Sequence, residues 1–231
     1  MFFPDIKTQK ITISPRVNEF EKSSWAQSQL ICGIDEVGRG CLAGPVVAAA
    51  VILKKKTICK LIKDSKLLSQ KQLIQASVWI NKNAYVGIGI VSHTIIDRLN
   101  IYQATLLAMN KAFHNLALSS RETPHAIIVD AMPLSLNHTT YQHIPIYYFN
   151  KGERYSISIA AASIIAKVTR DHIMENLNNS ISGFSFESHK GYGTLKHQEA
   201  LKKNGRSLIH RISFLSKTEQ GNDNEYQQSI C

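Results

Sequence analysis

The hydrophobic pattern changes period several times along the chain, and each change marks an element. Residues 29–35 and 46–53 are short runs dense in Val, Ile and Ala, as buried strands are, and the glycines of Gly38-Arg39-Gly40 and Gly44-Pro45 separate them. Residues 85–91 alternate Val and Ile with glycine and predict a third strand. Leu99, Tyr102, Leu106, Met109 and Phe113 recur at three- and four-residue spacing, which predicts one helix over 97–118. Two further β-rich runs, 126–130 and 144–149, precede an alanine-rich helix over 156–177 and another over 194–204, stopped by Gly205. Three early strands, then helices alternating with strands, predict an α/β layer fold around a mixed sheet. A right-handed crossover sets the strand ending at Asp130 parallel to the first. Residues 1–28 read as a polar extension with at most one short helix, 29–217 as one domain without linker or repeat, and 218–231 as a polar tail.

Composition narrows the class. Of 231 residues, 44% are hydrophobic, which suits a domain with a substantial core and excludes a disordered polyelectrolyte. The longest uncharged apolar stretch, 41–53, falls short of the ~20 residues of a membrane span, so no membrane partner is expected. No basic segment leads into an apolar one near Met1, and no secretory leader is expected. Cys32, Cys41, Cys59 and Cys231 lack metal-site spacing, which makes reduced thiols and a cytoplasmic location the expectation. The net charge of +10 points to a polyanion, and it is skewed: 150–217 hold 11 Lys and Arg against 5 Asp and Glu.

The candidate chemistry lies at strand ends. Asp35-Glu36 closes the first strand, where α/β sheets place ligand groups; alone, the pair reads equally as a solvated acidic end. Asp130 repeats the pattern after Ile127-Ile128-Val129. If the strands are neighbours, the two carboxylates face each other, and a cation between them removes their repulsion. Oxygen-only ligands favour Mg²⁺ or Mn²⁺. Glu153 would be a third edge of the same mouth, or a first-turn acid favouring the dipole of the following helix. Adjacent residues on a strand point to opposite faces. Asp35 and Glu36 therefore cannot both aim side chains at one cation unless the strand twists or ends there. Gly38-Arg39-Gly40 precedes a strand rather than a helix, which excludes a dinucleotide fingerprint and leaves a plain turn or a backbone that approaches a ligand closely. Tyr192, between Gly191 and Gly193 beside Lys190, reads as a stacking platform or a core tyrosine. Asp64-Ser65-Lys66 reads as a phosphate contact or a helix cap. Asp171 reads as a helix-face residue.

These segments resemble bacterial ribonuclease HII. The matching pieces are Gly33-Ile34-Asp35-Glu36-Val37-Gly38-Arg39-Gly40 with Ala43-Gly44-Pro45, Asp64-Ser65-Lys66-Leu67-Leu68-Ser69, and Asn100-Ile101-Tyr102-Gln103-Ala104-Thr105. Ile128-Val129-Asp130, Lys151-Gly152-Glu153, the run from Ser158 to Lys167, and His189-Lys190-Gly191-Tyr192-Gly193-Thr194 follow in family order. The resemblance implies an RNase H-like mixed five-stranded sheet flanked by helices, with a small helical C-terminal part. It implies an endonuclease that hydrolyses the RNA strand of RNA–DNA hybrids and nicks 5′ of ribonucleotides embedded in duplex DNA. Two divalent cations, Mn²⁺ or Mg²⁺, would act and leave 3′-OH and 5′-phosphate. The family's metal-binding acids fall on Asp35, Glu36, Asp130 and Glu153, its 2′-OH-reading motif on Gly38, Arg39 and Gly40, and its sugar-packing tyrosine on Tyr192. Ser65, Lys66 and Lys190 complete the expected substrate contacts, and a monomer is expected. The fourth acid is commonly aspartate in this family, and here it is Glu153.

Phosphodiester hydrolysis needs a nucleophilic water and a stabilised leaving alkoxide, which carboxylate-held cations supply, and telling RNA from DNA needs contact with the 2′-OH. The rival ribonuclease HIII resembles this family in fold, but carries an added N-terminal domain and lacks the arginine between the glycines, so Arg39 argues against it. A non-catalytic hybrid-binding module would not need Asp35 and Asp130 at adjacent strand ends. A DNA transposase or junction nuclease of the same fold is separated by comparing DNA with hybrid substrates.

Overall fold

The computed structural model describes residues 8–11, 17–54, 59–62 and 65–215; Asp64, Cys231 and the expected tail lie outside them. Six strands form one mixed sheet: β1 (Gln9–Lys10), β2 (Ile31–Val37), β3 (Val46–Leu53), β4 (Ala84–Val91), β5 (Ala126–Asp130) and β6 (Ile146–Phe149). Their order is β1-β6-β5-β2-β3-β4. β2, β3 and β4 pair antiparallel, and β5 returns parallel to β2, as the crossover argument requires. The five expected strands are present. The sixth, β1, pairs parallel with β6 through Gln9–Tyr147 and Lys10–Tyr148. Both its residues are polar and exposed, so no hydrophobic alternation announces it.

Helices cover both faces of the sheet. All eight residues of β3 are buried because one set faces each layer. Val46, Ala48, Ala50 and Ile52 join Cys32 and Ile34 in the core against α4 (Ile101–Ser119). Ala49, Val51 and Leu53 join the core formed with α2 (Gln70–Asn83) and α5 (Ile157–Ser180). At Gly33 a β-carbon would overlap the backbone of Ser158, so α5 rides directly on β2. The C-terminal part, with α6 (Phe186–His189) and α7 (Leu195–Asn204), packs Phe184, Phe186, Leu201 and Ile209 around Met174 of α5 and Ala43.

Three local expectations change. The single helix over 97–118 is two, α3 (His93–Leu99) and α4, because Asn100 takes φ 70° and its side chain accepts from Gln103 N–H to cap the second. The cap of α2 is Ser69, in a reciprocal box with Gln72, rather than Ser65. The extension contains α1 (Glu19–Ala26), and its residues finish the start of α5. Asn18 Oδ1 accepts from Ile157 N–H at 3.0 Å, and buried Glu21 accepts from Ser158 N–H at 3.0 Å and from the Ser156 hydroxyl. Among the described residues no helix is long and apolar enough to cross a membrane.

Candidate active site

The last β2–β5 register pair is Ile34 with Val129. The next residues of the two strands are Asp35 and Asp130, so the parallel ends deliver two carboxylates side by side. They open into a cleft of about 460 Å³ that Glu36 and Glu153 also line. Asp35 lies opposite Ala49 and Glu36 opposite Ala48, on opposite faces as alternation demands. Glu36 nevertheless reaches the cleft, because it lies beyond the last β5 pair. Its Oε1 lies 3.3 Å from Arg39 Nη1.

Each acid is set by its neighbours. Asp35 is buried; its Oδ1 accepts from Glu36 N–H at 2.7 Å, and the Ser163 hydroxyl nearby favours its charged form. Asp130 Oδ1 accepts from Gly152 N–H at 2.8 Å, which ties the end of β5 to the turn after β6. That turn, Gly152–Arg154, is a single 3₁₀ turn, not the first turn of α5, and it buries Glu153. The dipole reading of Glu153 therefore does not hold: α5 begins later, capped by Ser156. Glu153 Oε1 lies 3.5 Å from Lys66 Nζ.

Burial raises the carboxyl of Asp35 well above the usual carboxylate range, and Glu36 and Asp130 push it further. Burial also drives Glu36 up to about 7, partly opposed by Arg39, and raises Asp130. Whether the acids fit a cation is answered by two atoms: Glu36 Oε2 and Glu153 Oε2 are buried without a hydrogen-bond partner. Among the described residues no three His, Cys, Asp or Glu side chains come together closely enough to hold a metal ion. An open, all-oxygen set suits a hard cation that keeps several waters and takes few carboxylates.

A proton linkage follows. Cation and proton compete for the same oxygens, so Mn²⁺ affinity is expected to rise with pH through the range around 7. Calorimetric titration near pH 6 in buffers of different ionisation enthalpy should show proton release. Identical enthalpies in all buffers would contradict the raised carboxyl groups.

The glycine turn borders the acids. Gly38 has φ +93°, and a β-carbon there would strike the Arg170 side chain. Arg170 and Arg211, both fully buried, hold this segment by its carbonyls. Arg170 donates to Ala43 O, Pro45 O and Lys190 O; Arg211 donates to Gly38 O at 2.7 Å, to Arg39 O at 2.9 Å and twice to Gly44 O. With its carbonyls tied inward, the turn keeps Gly38 and Arg39 on the cleft wall. Gly40 is exposed just beyond. Tyr192, bridged to Cys41 next to this turn, also lines the cleft, partly exposed, with Lys167 Nζ 5.8 Å and the Arg170 guanidinium 5.7 Å from its ring centre.

The model of the family described as Ribonuclease HII matches residues 32–217. A ribonuclease HII of Bacillus pumilus is 47% identical over 200 residues, 85% of this chain and 74% of that protein. The chain belongs to the ribonuclease HII family. It is a ribonuclease H enzyme of type HII. Its fold is similar to that of the RNase HII in a PCNA:RNase HII complex from Archaeoglobus fulgidus, with TM-score 0.67 and 27% identity over 81% of this chain and 96% of that one. A Bst-RNase HIII in complex with Mn²⁺ shares the fold at TM-score 0.64 and 19% identity, over 88% of this chain and 73% of that one.

Of the residues singled out in this ribonuclease HII sequence, the cleft gathers Asp35, Glu36, Gly38, Arg39, Ser65, Lys66, Asp130, Glu153 and Tyr192. Lys190 is not among them. Its ammonium donates to Glu175 Oε1 at 2.6 Å and to Glu187 O at 2.7 Å. Asp171 is a buried partner of Lys167 at 2.8 Å. Ser163, Lys167, Arg170 and Arg211 were not singled out. The first three recur at i, i+4 and i+7, a polar stripe that starts within the apolar first half of α5, and that stripe is the signal that marks them. Arg211 has no such signal, since its partners lie more than 160 residues away.

Proposed function

We propose that this ribonuclease HII hydrolyses the RNA strand of RNA–DNA hybrids and nicks duplex DNA 5′ of an embedded ribonucleotide, leaving 3′-OH and 5′-phosphate, with two divalent cations, Mn²⁺ or Mg²⁺. The observation that carries this reading is the placement of four carboxylates and a backbone-held glycine turn on the walls of one cleft. Asp35, Glu36, Asp130 and Glu153 would hold the cations. When bound, such ions supply Lewis acidity to the phosphodiester and make water a competent nucleophile at neutral pH.

The chain's own groups do the rest. Asp35 and Asp130 are oriented by Glu36 N–H and Gly152 N–H, so their free lone pairs face the cleft. The Gly38-Arg39-Gly40 backbone, unobstructed by side chains at Gly38 and Gly40, comes close enough to a ribose to test for its 2′-OH. Tyr192 offers a ring face to the neighbouring deoxyribose. Ser65, its hydroxyl 2.9 Å from that of Ser163, and the exposed Lys66 meet phosphate. The basic residues of 150–217 surround an acidic mouth whose substrate brings the negative charge. We assign the catalytic unit to residues 29–217, with 17–26 capping α5.

The deciding experiment is cleavage of duplex DNA carrying one ribonucleotide, with products mapped to the nucleotide. Cleavage 5′ of the ribonucleotide, dependent on Mn²⁺ or Mg²⁺, is the expected outcome; equal cleavage of all-DNA duplex would reject the reading. Arg39→Ala is expected to weaken single-ribonucleotide cleavage about tenfold at saturating cation while changing binding of plain duplex less than about twofold. Equal losses on both substrates would reduce Arg39 to a phosphate contact.

A further inference from the structure

The strip of chain that follows the glycine turn is held from both sides. Leu42 N–H donates to Gly191 O at 2.8 Å, while Gly44 N–H donates to Ile209 O at 2.9 Å and Arg211 N–H to Leu42 O at 2.8 Å. Cys41 bridges Tyr192, and Ala43 bridges His210. The two flanking strips carry Tyr192 on one side and Arg211, the clamp on the glycine turn, on the other. Beneath them, buried imidazoles join the flanking strips to each other.

The hydrogen bonds determine every tautomer. Ser207 N–H donates to His210 Nδ1 at 2.8 Å, so that nitrogen is bare and the proton sits on Nε2. His210 Nε2 lies 2.9 Å from His197 Nε2 and must donate to it. His197 therefore carries its proton on Nδ1, which donates to Tyr192 O at 2.9 Å. His189 follows the same logic: Nδ1 accepts from Gly191 N–H at 3.1 Å, and Nε2–H donates to Phe184 O at 2.7 Å. The rings of His189 and His197 stack with centres 4.3 Å apart. Burial, with His197, His189 and Arg206 around it, pushes His210 down to about 4, which keeps His210 neutral.

We propose that His197 is a positioning residue for Tyr192, and that His210 acts through it by fixing the His197 tautomer. The proposal rests on the reading of Tyr192 as the sugar contact. The strip that carries Tyr192 is bridged to Cys41; the Tyr192 N–H donates to His189 O at 2.9 Å, and its carbonyl accepts from Thr194 N–H at 2.8 Å as well as from His197. The imidazole is thus the side-chain restraint that ties this strip, and with it the ring, to the Arg211-clamped turn. A core histidine that only filled space would leave this direction of donation unused.

Two substitutions separate the roles. His197→Asn puts an amide N–H near the place of Nδ1 and keeps the donor to Tyr192 O, but loses the acceptor for His210. His197→Gln puts an amide near the place of Nε2, keeps the His210 bond and loses the donor to Tyr192. Each removes one buried hydrogen bond, so a purely structural role predicts equal losses. The proposal instead expects His197→Gln to raise KM for the single-ribonucleotide duplex about tenfold with kcat within about twofold, and His197→Asn to stay within about threefold of the parent. Two-bond ¹⁵N–¹H correlation spectra of the unaltered protein should show His197 protonated at Nδ1 and His210 at Nε2. Equal losses in both variants, tracking their melting temperatures, would overturn the proposal, and so would the opposite tautomers. If the unaltered protein fails to cleave the ribonucleotide duplex, the functional reading fails. The spectra, together with the Tyr192 ring shifts of the two variants, still score the positioning role.

Discussion

Asp130→Asn is expected to lower cleavage of an RNA–DNA hybrid a hundredfold or more, while hybrid binding without divalent cation stays equal or tightens. The amide keeps the size of the side chain and, through its oxygen, the acceptor for Gly152 N–H, so the turn carrying Glu153 stays in place. What is lost is one negative charge beside Asp35. On the proposed function that charge would both hold cation and repel phosphate, so its removal would move the two properties in opposite directions. The rough scale follows from metal sites in general, where loss of an outer hydrogen-bond partner alone costs about 10–100-fold. Single-turnover cleavage and anisotropy binding measure the two effects. Binding that collapses together with activity would show that Asp130 serves the fold rather than the chemistry.

Glu153→Gln is expected to remove most cleavage, and the parent enzyme is expected to work better with Mn²⁺ than with Mg²⁺. Glutamate is one methylene longer than the aspartate common at this motif, and here it stands on a 3₁₀ turn pinned to Asp130 through Gly152. The backbone cannot retreat to compensate, so the extra length must be absorbed in the position of the ion. Mg²⁺ demands near-ideal octahedral geometry and dehydrates reluctantly; Mn²⁺ binds such sites more tightly. Glu153→Asp should narrow the Mn²⁺/Mg²⁺ gap and retain activity. In Glu153→Gln the buried Oε2, now without a partner, becomes an amide that serves a cation poorly. Near-normal rates for Glu153→Gln at saturating cation would remove Glu153 from the site.

The acids were legible because of where they stand. Asp35 and Asp130 each terminate a run of apolar residues, and a charge at the end of a buried strand has few bland explanations once two such strands are adjacent. Glu153 was less legible: a carboxylate shortly before a helix reads equally as a dipole partner, and only the separate 3₁₀ turn removes that alternative. Lys190 read as a substrate cation because it sits beside Tyr192 in sequence, whereas in space Glu175 of α5 takes its charge. The break of the long helix at Asn100 was hidden because α3 and α4 share one apolar spacing across it.

By itself, the sequence determined the layer architecture, the five main strands, the start of α5 at Ser156, the span of α7 up to Gly205, and the acids at the strand ends. All of these follow from short-range rules, since periodicity, caps and chain handedness act over a few residues to one crossover. Helix α2, the start of α4 and the last turn of α5 escaped that reading. Only the tertiary structure decided which cations face the cleft and which are consumed inside, that Arg170 and Arg211 grip the glycine turn by its carbonyls, and that Asn18 and Glu21 complete α5. It likewise decided the direction of the His210–His197–Tyr192 chain. These depend on pairings across more than a hundred residues, or on which ring nitrogen meets which backbone group. A buried polar group must find a partner, but its own neighbours in sequence do not say where that partner is.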